Sequence, residues 1–66
     1  MWSDELKQLT REMLSKMPMA MMKKAGSTYG VLLLQDDKYV ITDRTTNEEY
    51  LFERIEELIE AGWAVD

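Results

Sequence analysis

Residues 28–52 read TYGVLLLQDDKYVITDRTTNEEYLF, a run in which aliphatic, aromatic and β-branched side chains recur between short polar stretches. Such runs, with a side-chain period of two, are typical of β-strands bounded by turns. We predict three strands, at residues 29–34, 39–42 and 49–52. Polar turns at residues 36–38 and 44–47 join them, and Asn47 suits the second turn because it tolerates a positive φ. The stretch therefore predicts an antiparallel three-stranded meander.

The predicted meander carries large aliphatic side chains on both faces, which we assign as Leu32, Leu34 and Val40 on one face and Val31, Leu33 and Ile41 on the other. A strand that is apolar on both faces is typical of a sheet buried on both sides. If the helices of the chain cover only one face, the other face is an apolar patch suited to binding. If the helices divide between the faces, the sheet is enclosed and the spare apolar side chains are methionines.

The segment before the meander, residues 1–26, is predicted to be helical. Ser3 is a favourable N-cap, and the acidic residues that follow it suit the first turn of a helix. One apolar stripe at helical spacing is made up of Leu6, Leu9, Met13, Leu14 and Met17. These features predict an amphipathic helix over residues 4–16.

Pro18 interrupts this segment, because proline inside a helix loses a hydrogen bond and clashes with the preceding turn. The first helix therefore either ends near Met17 or kinks there. Proline is also favourable in the first turn of a helix, so we predict a second short helix over residues 18–24. Gly26 is placed to end that helix in a left-handed conformation.

The last segment, residues 53–62, is predicted to form a C-terminal helix. Its apolar face consists of Ile55, Leu58 and Ile59. Gly62 is placed to end this helix, and residues 63–66 follow as a tail. The chain is thus expected to be a single small domain over residues 1–66, of the α+β class, with element order α(α)βββα.

Five of the six methionines fall within residues 13–22. Methionine is flexible and polarizable, so a dense group of methionines indicates either adaptable filling of a core or a surface that re-packs around partners. The second interpretation, combined with the apolar sheet, predicts a protein-binding site made up of Met17, Met19, Met21, Met22, Leu32, Leu34 and Val40. The first interpretation, in which the methionines fill the core, stays open beside it.

The side-chain inventory argues against an enzyme. The chain has no Cys and no His, so the commonest general base and the thiol nucleophile are absent. Its three glycines do not fit a phosphate-binding loop, and a structural zinc site needs Cys or His ligands. We therefore assign no catalytic, cofactor-binding or metal-ligating residue.

The partner is expected to be another protein, or a second copy of the chain in a homodimer. A chain of 66 residues without disulfides buries only about 60% of the surface that its unfolded form exposes, and such domains often oligomerise to enlarge their core. The expected function is that of a small non-enzymatic protein-binding module, acting as an adaptor, regulator or inhibitor. Because the longest apolar stretches are too short for a membrane span or a secretory leader, we expect a cytoplasmic protein.

Charge is divided unevenly along the chain, whose net charge is −5. Residues 1–28 carry five basic and three acidic side chains, whereas residues 29–66 carry three basic and ten acidic ones. The acidic excess disfavours binding to nucleic acid, and the acidic side chains among residues 1–28 disfavour a membrane-surface helix. The same excess supports an alternative function, that of a nucleic-acid mimic that inhibits a nucleic-acid-binding protein. Its candidate acidic face consists of Glu53, Glu56, Glu57 and Glu60.

Overall fold

The computed structural model of the protein describes residues 2–66. Its elements are helix α1 (Asp4–Leu14), strands β1 (Met19–Lys24), β2 (Thr28–Gln35), β3 (Lys38–Asp43) and β4 (Glu49–Phe52), helix α2 (Ile55–Glu60) and strand β5 (Trp63–Val65). The strands form one antiparallel sheet in the order β4-β3-β2-β1-β5. The α+β class is confirmed. The predicted three-stranded meander and element order are wrong, because β1 and β5 extend the sheet to five strands.

Strand β1 stands where we predicted a second short helix, so the helical assignment of residues 18–24 is wrong. Its side chains alternate between buried (Ala20, Met22) and exposed (Met19, Met21), which is the period of a strand. β1 pairs with β2 on one side and with β5 on the other. Hydrogen-bonded ladders on two sides outweigh the weak helical preference of Met, Ala and Lys in so short a segment.

The turn between β2 and β3 sets the register of the sheet. It contains two residues, Asp36 and Asp37, with φ of 50° and 63°. Positive φ at both positions is typical of the type I′ turn of two-residue hairpins. Leu33 consequently pairs with Val40. Our assignment of Val40 and Ile41 to the two faces is therefore wrong, since Ile41 belongs to the helix side and Val40 to the opposite side.

Two other turns use left-handed residues. Gly26 has the left-handed φ that we predicted, 90°, but it lies in the turn between β1 and β2 rather than at a helix end. Asn47 has a φ of 63° in the turn between β3 and β4, as predicted. In that turn the Asp43 carboxylate accepts hydrogen bonds from the N–H groups of Thr45 (2.7 Å) and Thr46 (3.1 Å). Asp43 thus holds the turn closed in the way typical of an Asx turn.

Both helices pack against the same face of the sheet, the first of the two arrangements considered above. The buried core between them and the sheet consists of Leu14, Ala20, Met22, Leu32, Ile41, Leu58, Ile59, Trp63 and Val65. Within residues 2–66 the other face of the sheet has no helix over it.

Helix α1 begins at the predicted N-cap and covers one edge of the sheet. The Ser3 hydroxyl accepts a hydrogen bond from the Leu6 N–H (3.1 Å). Farther along, the buried Thr10 hydroxyl donates to the Leu6 carbonyl (2.8 Å) and accepts from the Val65 N–H of β5 (3.2 Å). This contact satisfies a backbone group on the outer edge of β5, an edge that would otherwise be available for pairing. The helix ends at Leu14, ahead of Pro18.

Helix α2 is shorter than the predicted 53–62. The Glu57 carboxylate accepts hydrogen bonds from the N–H groups of Glu53 (2.8 Å) and Arg54 (3.3 Å) and so caps the start of the helix. Gly62 ends it with a φ of 101°, the left-handed conformation expected of that position. The residues that follow, predicted as a tail, form the edge strand β5.

Candidate functional site

The face of the sheet opposite the helices carries an apolar surface, which we call the open face and define as Met19, Met21, Val31, Leu33, Val40 and Leu51. The antiparallel register aligns four of these side chains across four strands. Met19 pairs with Leu33, Leu33 with Val40, and Val40 with Leu51. Met21 and Val31 form a second pair beside them. The sequence thus gathers side chains from β1 to β4 into one contiguous patch.

This patch departs from the pattern expected of a sheet face in contact with water. Antiparallel sheets with one solvated face usually alternate hydrophobic side chains toward the core with polar side chains toward solvent. Residues 2–66 expose eight large hydrophobic side chains, and five of them lie on this side of the sheet. The five are Met19, Met21, Tyr29, Leu33 and Leu51. Clustered exposure of this kind, unlike scattered single residues, is typical of interaction surfaces.

The open face is bordered by Trp2 at its β5 end and reaches the free edge of the sheet at β4. Near β5, the Trp2 indole N–H donates to the Gly62 carbonyl (2.7 Å), and the Lys23 ammonium lies 5.2 Å from the centroid of the Trp2 ring. At the opposite end, β4 is an edge strand in the part of the chain that the structure describes. The Asp43 N–H donates a hydrogen bond to the Glu48 carbonyl. Hydrogen-bonded and non-hydrogen-bonded pairs alternate along an antiparallel ladder, so the N–H and C=O groups of Leu51 point away from β3, toward the free edge.

Few charges interrupt the open face. The charged residues on this side of the sheet are Lys23, Lys38, Glu49 and Asp66, placed there by strand alternation. The Lys38 ammonium lies 2.6 Å from a carboxylate oxygen of Glu53, and this hydrogen bond raises the pKa of Lys38 and lowers the pKa of Glu53. With Glu53 included, two positive and three negative side chains surround an apolar centre, a small negative excess.

The fold does not bring the predicted binding residues together in one place. On the open face lie Met19, Met21 and Val40, of which Val40 is shielded by its neighbours and the two methionines are exposed. Met17 is exposed too, in the segment between α1 and β1. Met22 and Leu32 are fully buried in the core beneath the helices, so we withdraw them from the predicted site. Leu34 is exposed but belongs to the helix side of β2.

Three members of the open face are not among the binding residues that the sequence predicts. They are Val31, Leu33 and Leu51. The signal that points to them is the two-residue turn between β2 and β3, which places Leu33 and Val40 side by side. The methionine-rich window itself divides between two roles, because Met22 fills the core while Met19 and Met21 face solvent. Core filling therefore applies to Met22, while Met19 and Met21 are surface side chains whose binding role stays a prediction.

Three of the four glutamates in the candidate acidic face have partners within the fold. Glu56 forms a two-pronged ion pair with Arg11, at 2.6 Å to Nε and 3.0 Å to Nη2, and this hydrogen bond lowers the pKa of Glu56. Glu53 pairs with Lys38, and Glu57 caps the start of α2. Glu60 is exposed. Two of these carboxylates thus link elements of the fold. Glu56 joins α2 to α1, and Glu53 joins the segment before α2 to β3.

The described part of the chain, residues 2–66, forms no surface pocket and no group of three or more metal-ligating side chains. None of its helices is long and apolar enough to cross a membrane. Comparison of the chain with protein-family models, with curated proteins and with solved structures finds no match.

Proposed function

We propose that this protein works by binding a protein partner through the open face. The observation that carries the proposal is the line of apolar side chains from Met19 through Leu33 and Val40 to Leu51, of which Met19, Leu33 and Leu51 are exposed on a sheet face where polar residues are expected. Removing such side chains from water stabilises a complex by roughly 25 cal/mol per Å² of apolar area. A partner that covers the patch supplies the second apolar layer that the fold lacks.

The centre and the rim of the patch have different roles in this proposal. Leu33 and Val40 occupy its middle, flanked by Met19 on β1 and Leu51 on β4. Binding energy usually concentrates in central, fully desolvated residues, while the surrounding contacts exclude water. The exposed methionines at one end add a flexible surface that adapts to the shape of a partner.

A site-specific photo-crosslinking side chain tests the proposal. It replaces Met21 on the open face in one variant and Leu9 on α1 in the other, two apolar positions exposed to 46% and 45%. After irradiation in an extract of the source cells, with the purified protein present, the proposal expects discrete protein adducts from position 21 that position 9 does not give. The same adduct pattern from both positions would contradict it.

The acidic-mimic alternative has less support. It is motivated by the ten acidic and three basic side chains in residues 29–66. Within the fold, however, Glu53, Glu56 and Glu57 are hydrogen-bonded. Mimicry depends on unpaired charge at regular spacing, and its binding would weaken steeply as salt is added. Binding through the open face depends on apolar area and is expected to persist at high salt.

A further inference from the structure

We infer that the occupant of the open face is a second copy of this chain, packed face to face about a two-fold axis. The inference rests on the proposed function and names the partner of that same surface. In a two-fold dimer the same patch is used on both subunits, so the patch must complement itself. An apolar patch meets this requirement readily, because it has no hydrogen-bonding groups that need opposite groups across the axis.

The size of the sheet face suits such a dimer. The molecule is flat, with extents of 28 × 27 × 16 Å, and the short dimension is that of one helix layer on one sheet. A body of these proportions has about a quarter of its surface on each broad side. A standard interface takes about 800 Å² from each partner, about a fifth of the 4479 Å² that the chain exposes. One broad side therefore provides the area that a stable dimer needs.

Charge also favours a second copy at this face over the others. Two molecules of net charge −5 repel each other, and the repulsion is least where the approaching surfaces carry no net charge. The open side comes near that condition, since Lys38 is paired with Glu53 and Lys23 offsets one of the two remaining carboxylates, Glu49 and Asp66. The helix side presents a glutamate-rich helix, α2, and would bring like charges together.

The dimer also supplies what a domain of this size lacks. Sheets that pack face to face lie about 10 Å apart and interdigitate the side chains of their inner faces. Two copies would then form four layers, helix, sheet, sheet and helix, with Leu33 and Val40 near the centre of a second core. Val40 is already only 8% exposed in one copy, because its neighbours on the open face surround it. The side chains that would form the second core are thus already partly packed in a single copy.

Sedimentation equilibrium of the full chain from about 1 μM to 1 mM tests the inference, with two variants of adjacent leucines on β2. Leu33→Lys changes the open face, and Leu34→Lys changes the helix side, at positions exposed to 39% and 41%. We expect the wild type and Leu34→Lys to reach twice the chain mass of 7.8 kDa. Leu33→Lys is expected to weaken association by about 100-fold, since it sets like charges against each other in a desolvated interface.

If circular dichroism shows that a variant of the first pair does not fold, a second pair replaces it. Leu51→Lys changes the open face on the edge strand, and Leu9→Lys is its control on α1. A wild type that stays monomeric to 1 mM, or open-face and control variants that dimerise equally, would overturn the inference. If the wild type is monomeric while position 21 crosslinks to a different protein, only the second-copy inference fails. If position 21 also gives no adduct that position 9 lacks, the proposed function fails with it.

Discussion

Replacing Thr10 by valine removes one hydroxyl while keeping the shape of the side chain. That hydroxyl accepts the hydrogen bond of the Val65 N–H at 3.2 Å, and both residues are buried. A buried N–H left without a partner costs about 1–3 kcal/mol. A domain of 66 residues has a free energy of unfolding of roughly 3–10 kcal/mol, so the loss is a large fraction of the total. At about 4–8 °C per kcal/mol, a loss of about 2 kcal/mol lowers Tm by about 8–16 °C.

The matched variant is Thr10→Ser, which keeps the hydroxyl and removes one methyl group, worth about 1 kcal/mol of burial. Thermal and urea unfolding followed by circular dichroism, at one fixed protein concentration, gives the order of stability. We expect wild type, then Thr10→Ser, then Thr10→Val. Amide hydrogen exchange should also accelerate at Val65 in Thr10→Val. If Thr10→Val is at least as stable as Thr10→Ser, burial of the methyl group matters at least as much as the hydrogen bond, and the reasoning is refuted.

Gly30→Ala should destabilise the fold by about 1–3 kcal/mol in urea unfolding, because the new Cβ would lie 2.8 Å from Cγ2 of Ile41 and 2.9 Å from the Thr42 carbonyl oxygen. A variant as stable as wild type would show that the strands can move apart. Glu56→Gln should lower Tm at pH 7 through loss of the Arg11 pair, and the difference from wild type should begin to shrink near pH 4 and disappear as the pH falls through the lowered pKa of Glu56. A difference of the same size at pH 7 and at acidic pH would contradict this assignment.

The features that the sequence predicts correctly are governed by neighbouring residues. Ser3 caps α1, and Asn47 and Gly62 take the left-handed conformations expected of them. In each case the residue type itself satisfies a nearby backbone group or lowers the strain of a positive φ. Because these preferences act over three or four residues, a single sequence is enough to detect them.

Strands β1 and β5 pair with each other although they lie far apart in the chain, so local sequence patterns do not predict them. β5 has only three residues, and its strand partner is β1, some 40 residues earlier. Without β5, the segment Met19–Lys24 has a sequence of ordinary helix formers after a proline. Its strand character appears in the alternation of Ala20 and Met22 with Met19 and Met21, a pattern too short to separate from a helix by period alone.

The composition of the open face depends on the length of one turn. A three-residue turn at 36–38, as we predicted, would pair Leu34 with Val40 and send Val40 toward the helices. The two-residue turn shifts the pairing by one residue, and a shift of one residue moves every side chain of a strand to the opposite face. Ile41 thereby enters the core, fully buried, and Val40 joins Leu33 on the open face. Neither position of the turn is the glycine that usually marks a type I′ hairpin, so the signal in the sequence is weak. The apolar line from Met19 to Leu51 thus exists because two aspartates accept positive φ, and a turn variant that lengthens the loop by one residue would disrupt the core and the open face together.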